Sequence, residues 1–200
     1  MGKQYPWEYH PDLTAERLGV IARLIRQGRN DALDRHNEDI GDNAWLLGCS
    51  AYQFGRFRIL NAMDAGEYPW LNVIDRSLQF IFQVGQIPVR FYKGEADDPN
   101  ERTRRRTYAE FDQLALLFDQ DDDANLLYRF AVETDFDGAI SAIKFVGLRG
   151  EVPAFCWEVP ADHLGISVLP VTELPSEGVE LPAPVVRLPR DDQRRKGGAA

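Results

Sequence analysis

Residues 78–92 read LQFIFQVGQIPVRFY, in which Leu78, Phe80, Phe82 and Val84 alternate with Gln79, Ile81 and Gln83 before a Gly85-Gln86 pair and a second run through Ile87, Val89 and Phe91. Two period-two apolar runs separated by two residues predict a β-hairpin. Glycine at the first central position accepts the positive φ of a type II′ turn. Pro88 has no N–H to give a ladder, which predicts that the second strand lies at a sheet edge or a bulge. An exposed edge is also a surface on which another chain can add a strand.

Helical periodicity flanks this hairpin. Thr14 is placed to cap a helix, with Leu13 and Leu18 as a hydrophobic staple and with Leu18, Ile21, Ala22 and Ile25 on one face; Gly28 and Asn30 end or weaken it. A polar stretch from Asp31 to Asp42 reads as a loop or short helix. Asn43 to Asp64 then reads as a central helix, apolar or small at Trp45, Gly48, Cys49, Tyr52, Ile59 and Met63, with a strand over part of Phe54 to Leu60 as the competing reading. Gly48 and Gly55 suggest close approach of another element. Gly66 and Pro69 stop it.

After the hairpin, Asn100 caps a predicted helix running from Pro99 to Phe118, with Tyr108, Phe111, Ala115 and Phe118 facing the sheet beside Leu114 and Leu117. An acidic turn at Asp119 to Asp123 follows. Three more strands are expected at Leu127 to Thr134, Ala139 to Leu148 and Pro153 to Val159, joined as an antiparallel meander. The fold class is therefore α+β: N-terminal helices on a mainly antiparallel sheet of about five strands. Residues 1–160 make the domain. Prolines 170, 175, 182, 184 and 189 mark residues 161–200 as an extended or partly disordered arm, which still carries apolar residues such as Val168, Leu181 and Val186.

With 200 residues, the chain can build a core without a disulfide or metal staple. Cys49 and Cys156 sit in apolar segments and read as reduced, buried thiols. The N-terminal residues resemble no secretory leader and no run approaches the ~20 apolar residues of a membrane helix, so the expected address is the cytoplasm, with no membrane partner. A net charge of −9 opposes broad attraction to phosphate backbones.

Phosphate-binding glycine loops, nucleophile elbows and paired-cysteine zinc spacings are absent from the sequence, and no cofactor or metal is expected. His10, His36 and His163 stand far apart in sequence and read as solvated or structural. Glu133, Asp135, Asp137 and Lys144 form the least unfavourable enzyme site, that of a metal-dependent hydrolase subunit. The Asp-Gly pair at 137–138 suits a plain turn better. Arg102, Arg104, Arg105 and Arg106 are the most distinctive cluster, because cations at a helix N-terminus oppose the macrodipole. Arg90 and Lys93 extend the cluster toward a phosphate or an acidic partner, unless Glu95, Asp97, Asp98, Glu101 or Glu110 pairs with it. Trp7, Tyr68 and Trp70, in proline-containing loops, are candidate interface aromatics.

These features point to a non-enzymatic, bacterial-type regulatory or complex-forming protein. It would bind another macromolecule through its edge strand, loop aromatics and C-terminal arm. A protein partner is expected, a second copy of the chain included. The alternative is a nucleic-acid-associated module that uses the arginine cluster.

Overall fold

The computed structural model describes residues 3–117, 126–150 and 152–163. The acidic turn at 119–123, the expected helix face at Leu114, Ala115, Leu117 and Phe118, and the arm beyond residue 163 lie outside the described residues or side chains. Among the described residues, helices α1 (Pro6–Tyr9), α2 (Ala15–Leu33) and α3 (Ala44–Asp64) precede strands β1 (Leu71–Asp75), β2 (Ile81–Val84) and β3 (Ile87–Lys93). Helices α4 (Glu101–Arg104) and α5 (Tyr108–Leu117) then lead to β4 (Leu127–Thr134), β5 (Ile140–Arg149) and β6 (Val152–Glu158). The fold is α+β, with one six-stranded sheet in the order β1-β2-β3-β4-β5-β6. Every pairing is antiparallel except the central one, where β3 and β4 run parallel across the α4–α5 crossover.

The hairpin forms as the alternation requires. Gly85 has φ of +61° while Gln86 stays at negative φ, the pattern of a type II′ turn. The edge expectation for Pro88 fails: β3 is an interior strand, and the outer strands are β1 and β6. Pairing of Val84 with Ile87 and of Gln83 with Pro88 turns the Pro88 nitrogen away from β2, and partnership with β4 starts only at Val89. The missing N–H therefore falls where no ladder bond is required. The additional strand, β1, was missed because Leu71–Asp75 is short and buries one residue fully.

Strand alternation sorts the sheet into two faces. Val89 and Phe91, Tyr128 and Phe130, and Ile143 and Phe145 share a core with Leu18, Ile21, Ala22 and Ile25 of α2 and Ile59 and Ala62 of α3. The other face holds Leu127, Ala131, Val146 and Leu148. Thr14 caps α2 by accepting the Arg17 N–H, and the Leu13 and Leu18 staple is fully buried.

Helix α2 runs through Gly28 instead of ending there. A Cβ at Gly28 would lie 2.6 Å from Gly55 Cα of α3, so two glycines let the helix backbones touch. Gly48, by contrast, faces open space. Both cysteines are exposed, contrary to expectation: Cys49 lies on the outer side of α3 and Cys156 on β6.

Asp12 ties α2 to the hairpin. Its carboxylate accepts from Arg17 Nη1 at 2.5 Å and from the Gln86 N–H at 3.1 Å, and a Cβ on Gly85 would intrude on it. Burial alone would raise the Asp12 pKa, but the Arg17 guanidinium and the Gln86 N–H outweigh it and hold the carboxyl below its usual range.

Two predictions follow from this packing. Gly28→Ala would stabilise an isolated helix by about 1 kcal/mol; here it is expected to lower stability by about 1–3 kcal/mol in urea unfolding, because backbone must move. A gain would contradict the helix crossing. Because the folded Asp12 pKa is depressed, its contribution is complete above the unfolded value near ~4 and fades as pH falls through that value toward the folded one. Asp12→Asn should flatten the acid limb of the thermal midpoint below about pH 4.

Candidate functional site

The predicted helix from Pro99 to Phe118 breaks into α4 and α5 because a buried side chain takes its carbonyls. Arg129, on β4 and 2% exposed, donates from Nε to Thr103 O at 3.2 Å and from Nη2 to Arg105 O at 3.5 Å. Its Nη1 reaches Glu110 Oε1 at 2.5 Å, and Glu110 is 1% exposed. Thr107 then opens α5: its Oγ1 accepts the Glu110 N–H at 3.3 Å while Glu110 Oε2 accepts the Thr107 N–H at 3.0 Å. This capping box was legible as Thr107-Tyr108-Ala109-Glu110 and was missed. Burial pushes the Arg129 pKa down, with Glu110 acting against it.

Tyr108 and Phe111, expected in the core, are instead exposed, and Glu110 is the inward residue. The cluster does not sit at the N-terminus of a long helix: Arg102 and Arg104 belong to the single turn of α4, and Arg105 and Arg106 to the link before α5. Arg105 pairs with Glu101 at 3.3 Å on the surface.

Arg90, Arg102, Arg105 and Arg106 converge on an open groove of about 650 Å³, with Leu78 and Tyr108 beside them. Arg90, Arg102 and Leu78 also border a second lobe of about 540 Å³, walled by Trp45, Cys49 and Tyr52 of α3 and containing Lys93. Trp45 is 74% and Tyr108 81% exposed. Arg104 lines neither lobe.

Arg90 is the cation with the most to offer a ligand. Its side chain is 17% exposed, and its nearest carboxylate oxygen, Glu110 Oε2, is 3.9 Å away. That oxygen already accepts from Thr107 N and Oγ1. Arg90 donates no hydrogen bond to a described residue, and it lines both lobes.

One wall is held by α3. Tyr52 Oη donates to Leu78 O at 2.9 Å, Arg56 Nη2 to Arg76 O at 2.7 Å, and the Arg56 guanidinium lies 5.2 Å from the Phe80 ring. Phe80, fully buried, has φ of +34°, an unusual conformation for a side chain of its size. Burial raises the pKa of Tyr52 and pushes that of Tyr92 up to about 12, so both hydroxyls stay protonated at neutral pH. Guanidinium groups do not exchange protons in this range; the groove is equipped to bind negative charge.

The remaining candidates lie apart. Trp7 stacks on Tyr5 at 4.9 Å and meets Trp157 of β6 edge-on, while Tyr68 and Trp70 pack together before β1, at the other side of the sheet. Glu133 is engaged by Lys144 at 2.9 Å and by the Ala96 N–H at 3.0 Å. Asp135 accepts the Ala139 N–H in the β4–β5 turn, where Gly138 has φ of +82°. Among the described residues, no group of three His, Cys, Asp or Glu side chains is arranged to hold a metal ion, and no helix is long and apolar enough to cross a membrane. No protein-family model, curated protein or solved structure matches the chain.

Removing one partner of the buried pair should be severe. Glu110→Gln, which leaves Arg129 charged and uncompensated, is expected to cost about 3–5 kcal/mol in denaturant unfolding. Glu110→Leu combined with Arg129→Met should recover much of that. Two small, additive losses would show that the pair is not the anchor of the crossover.

Proposed function

We propose that this protein is a non-enzymatic, complex-forming protein that binds another protein through the arginine-lined groove. One observation carries this reading: four arginines separated by up to 16 positions in sequence line one groove with exposed Trp45, Leu78 and Tyr108 around it. Arginine and large aromatics are the side chains that dominate binding energy at protein interfaces. Exposed apolar side chains gathered beside a polar rim mark interaction sites. The net charge of −9 favours a protein partner over a nucleic acid, since a phosphate backbone would be repelled beyond the groove.

The test presents tagged full-length protein, and an Arg102→Glu/Arg105→Glu variant, to native lysate with and without nuclease. A protein partner at fixed stoichiometry that survives nuclease and binds the variant at least tenfold more weakly is the expected result, with the thermal midpoint unchanged. Nuclease-sensitive absorbance near 260 nm that the variant loses would transfer the groove to nucleic acid. A partner retained equally by both proteins would remove the groove from the function.

A further inference from the structure

The second lobe of the groove follows a stretch of β3 that its neighbour leaves uncovered. Strand β2 pairs with β3 only at Ile87, Pro88 and Val89, while β4 pairs with β3 as far as Lys93. In an antiparallel pair, alternate residues direct both backbone groups at the neighbour. Val84 and Ile87 flank the two-residue turn, and Phe82 pairs with Val89. The odd-numbered residues of β3 therefore face the β2 side and the even-numbered ones face β4. The Gly94 N–H, which donates to Val132 O of β4 at 3.1 Å, fits that parity.

The next odd residues are Phe91 and Lys93. A continuing β2 would place residue 80 opposite Phe91, but Phe80 turns out of the strand at φ of +34°, and Tyr52 and Arg56 hold the chain before it against α3. The N–H and C=O of Phe91 and Lys93 on this side find no partner among the described residues. Backbone groups at a strand edge pair with any extended chain that can reach them. Here the way in is the lobe of about 540 Å³, which Phe91 and Lys93 line.

The two walls differ in chemistry. The α3 wall presents Trp45, Cys49 and Tyr52, with open space over Gly48. The opposite wall presents Arg90, Arg102 and Asn100. Successive side chains of a strand laid between them would point alternately at an apolar wall and a cationic one. We propose that the uncovered half of β3 accepts, as an added strand, an extended segment of a partner protein in which bulky apolar residues alternate with Asp or Glu. The inference rests on the complex-forming role proposed above and names the partner's chemistry: main-chain bonds to Phe91 and Lys93 supply the docking, a carboxylate on Arg90 and Arg102 supplies the selectivity.

The experiment uses the full-length protein and a displayed library of random linear peptides. Enriched peptides should alternate apolar and acidic residues and bind Arg102→Glu at least tenfold more weakly. Amide exchange followed by NMR reads the docking mode. In the free protein the Phe91 and Lys93 amides should exchange faster than those of Arg90 and Tyr92, which face β4. On peptide binding they should slow at least tenfold, and N-methylating alternate peptide amides should weaken binding at least tenfold without altering the protein. Peptides that need Arg102 but leave the Phe91 and Lys93 amides unchanged, or that tolerate N-methylation, would overturn strand addition and leave the groove as the binding surface. Arg102-dependent peptides lacking Asp and Glu would overturn the proposed partner chemistry. A library that yields no Arg102-dependent binder would overturn this inference together with the reading on which it rests.

Discussion

The contact between Glu110 and Arg129 decides where the crossover between the two halves of the sheet can lie. Both side chains are almost completely buried, so neither charge is tolerable alone. Arg129 spends its other donors on the carbonyls of Tyr128, Thr103 and Arg105. Those bonds end α4 after one turn and deliver Thr107 to its capping position at the start of α5. A hydrophobic contact could have held a helix over β3 and β4, but it would not have fixed the path of residues 103–107 so closely. That path sets the positions of Arg102, Arg105 and Arg106 around Arg90. The buried pair thus supports the charged rim of the groove without lining the half that contains Tyr108.

On the other side of the sheet, position is set by closeness. Gly28 and Gly55 let α2 and α3 meet at backbone distance, and the Gly55 surface also admits the Phe91 ring, 3.2 Å from a built Cβ. Helix α3 is drawn down onto β3 at its middle, and the helix turns nearer its N-terminus carry Trp45, Cys49 and Tyr52 along the groove. Tyr52 and Arg56 then hold the chain between β1 and β2. Strain at Phe80 is sustained because its ring is enclosed by Phe82, Phe91 and the Arg56 guanidinium. Ending β2 there leaves four residues of β3, Arg90 to Lys93, without a partner on β2. The opening along β3 is produced by the same contacts that fasten the loop.

Much of the fold was legible because it rests on local periodicity. The type II′ hairpin, the meander and the staple at Leu13 and Leu18 each follow from patterns a few residues long, and each forms. The misplaced aromatics share a cause. Apolar spacing placed Trp45, Tyr108 and Phe111 inside, but spacing gives a face without saying whether anything covers it. For α5 the covering contact is ionic, and no count of apolar residues could have shown that Glu110 points inward while its neighbours point out. Pro88 misled because its missing donor was assigned to a whole strand, when register restricts the consequence to one residue. The arginines were singled out by their density and by their place at the start of a predicted helix, where cations oppose the macrodipole. Their convergence with Arg90 depends on a parallel pairing between segments nearly forty residues apart, and a sequence carries no local mark of such a pairing.

A cationic groove in a chain of net charge −9 has a consequence for how the proposed partner would meet it. Beyond the Debye length, about 8 Å at physiological ionic strength, screening removes most of the field of either sign. Within it, an acidic segment would be attracted at the arginine rim. Steering of this kind gives selectivity more than strength, since exposed ion pairs contribute little net energy. In the proposed complex, affinity would come from the parts of the groove less exposed to water: the largely buried Arg90, the apolar wall of α3 and the backbone groups of Phe91 and Lys93 that pair with no described residue. In that proposal the cationic rim and the stretch of β3 that β2 does not pair would act as successive filters on a single encounter, and a ligand that meets only one of them should not remain bound.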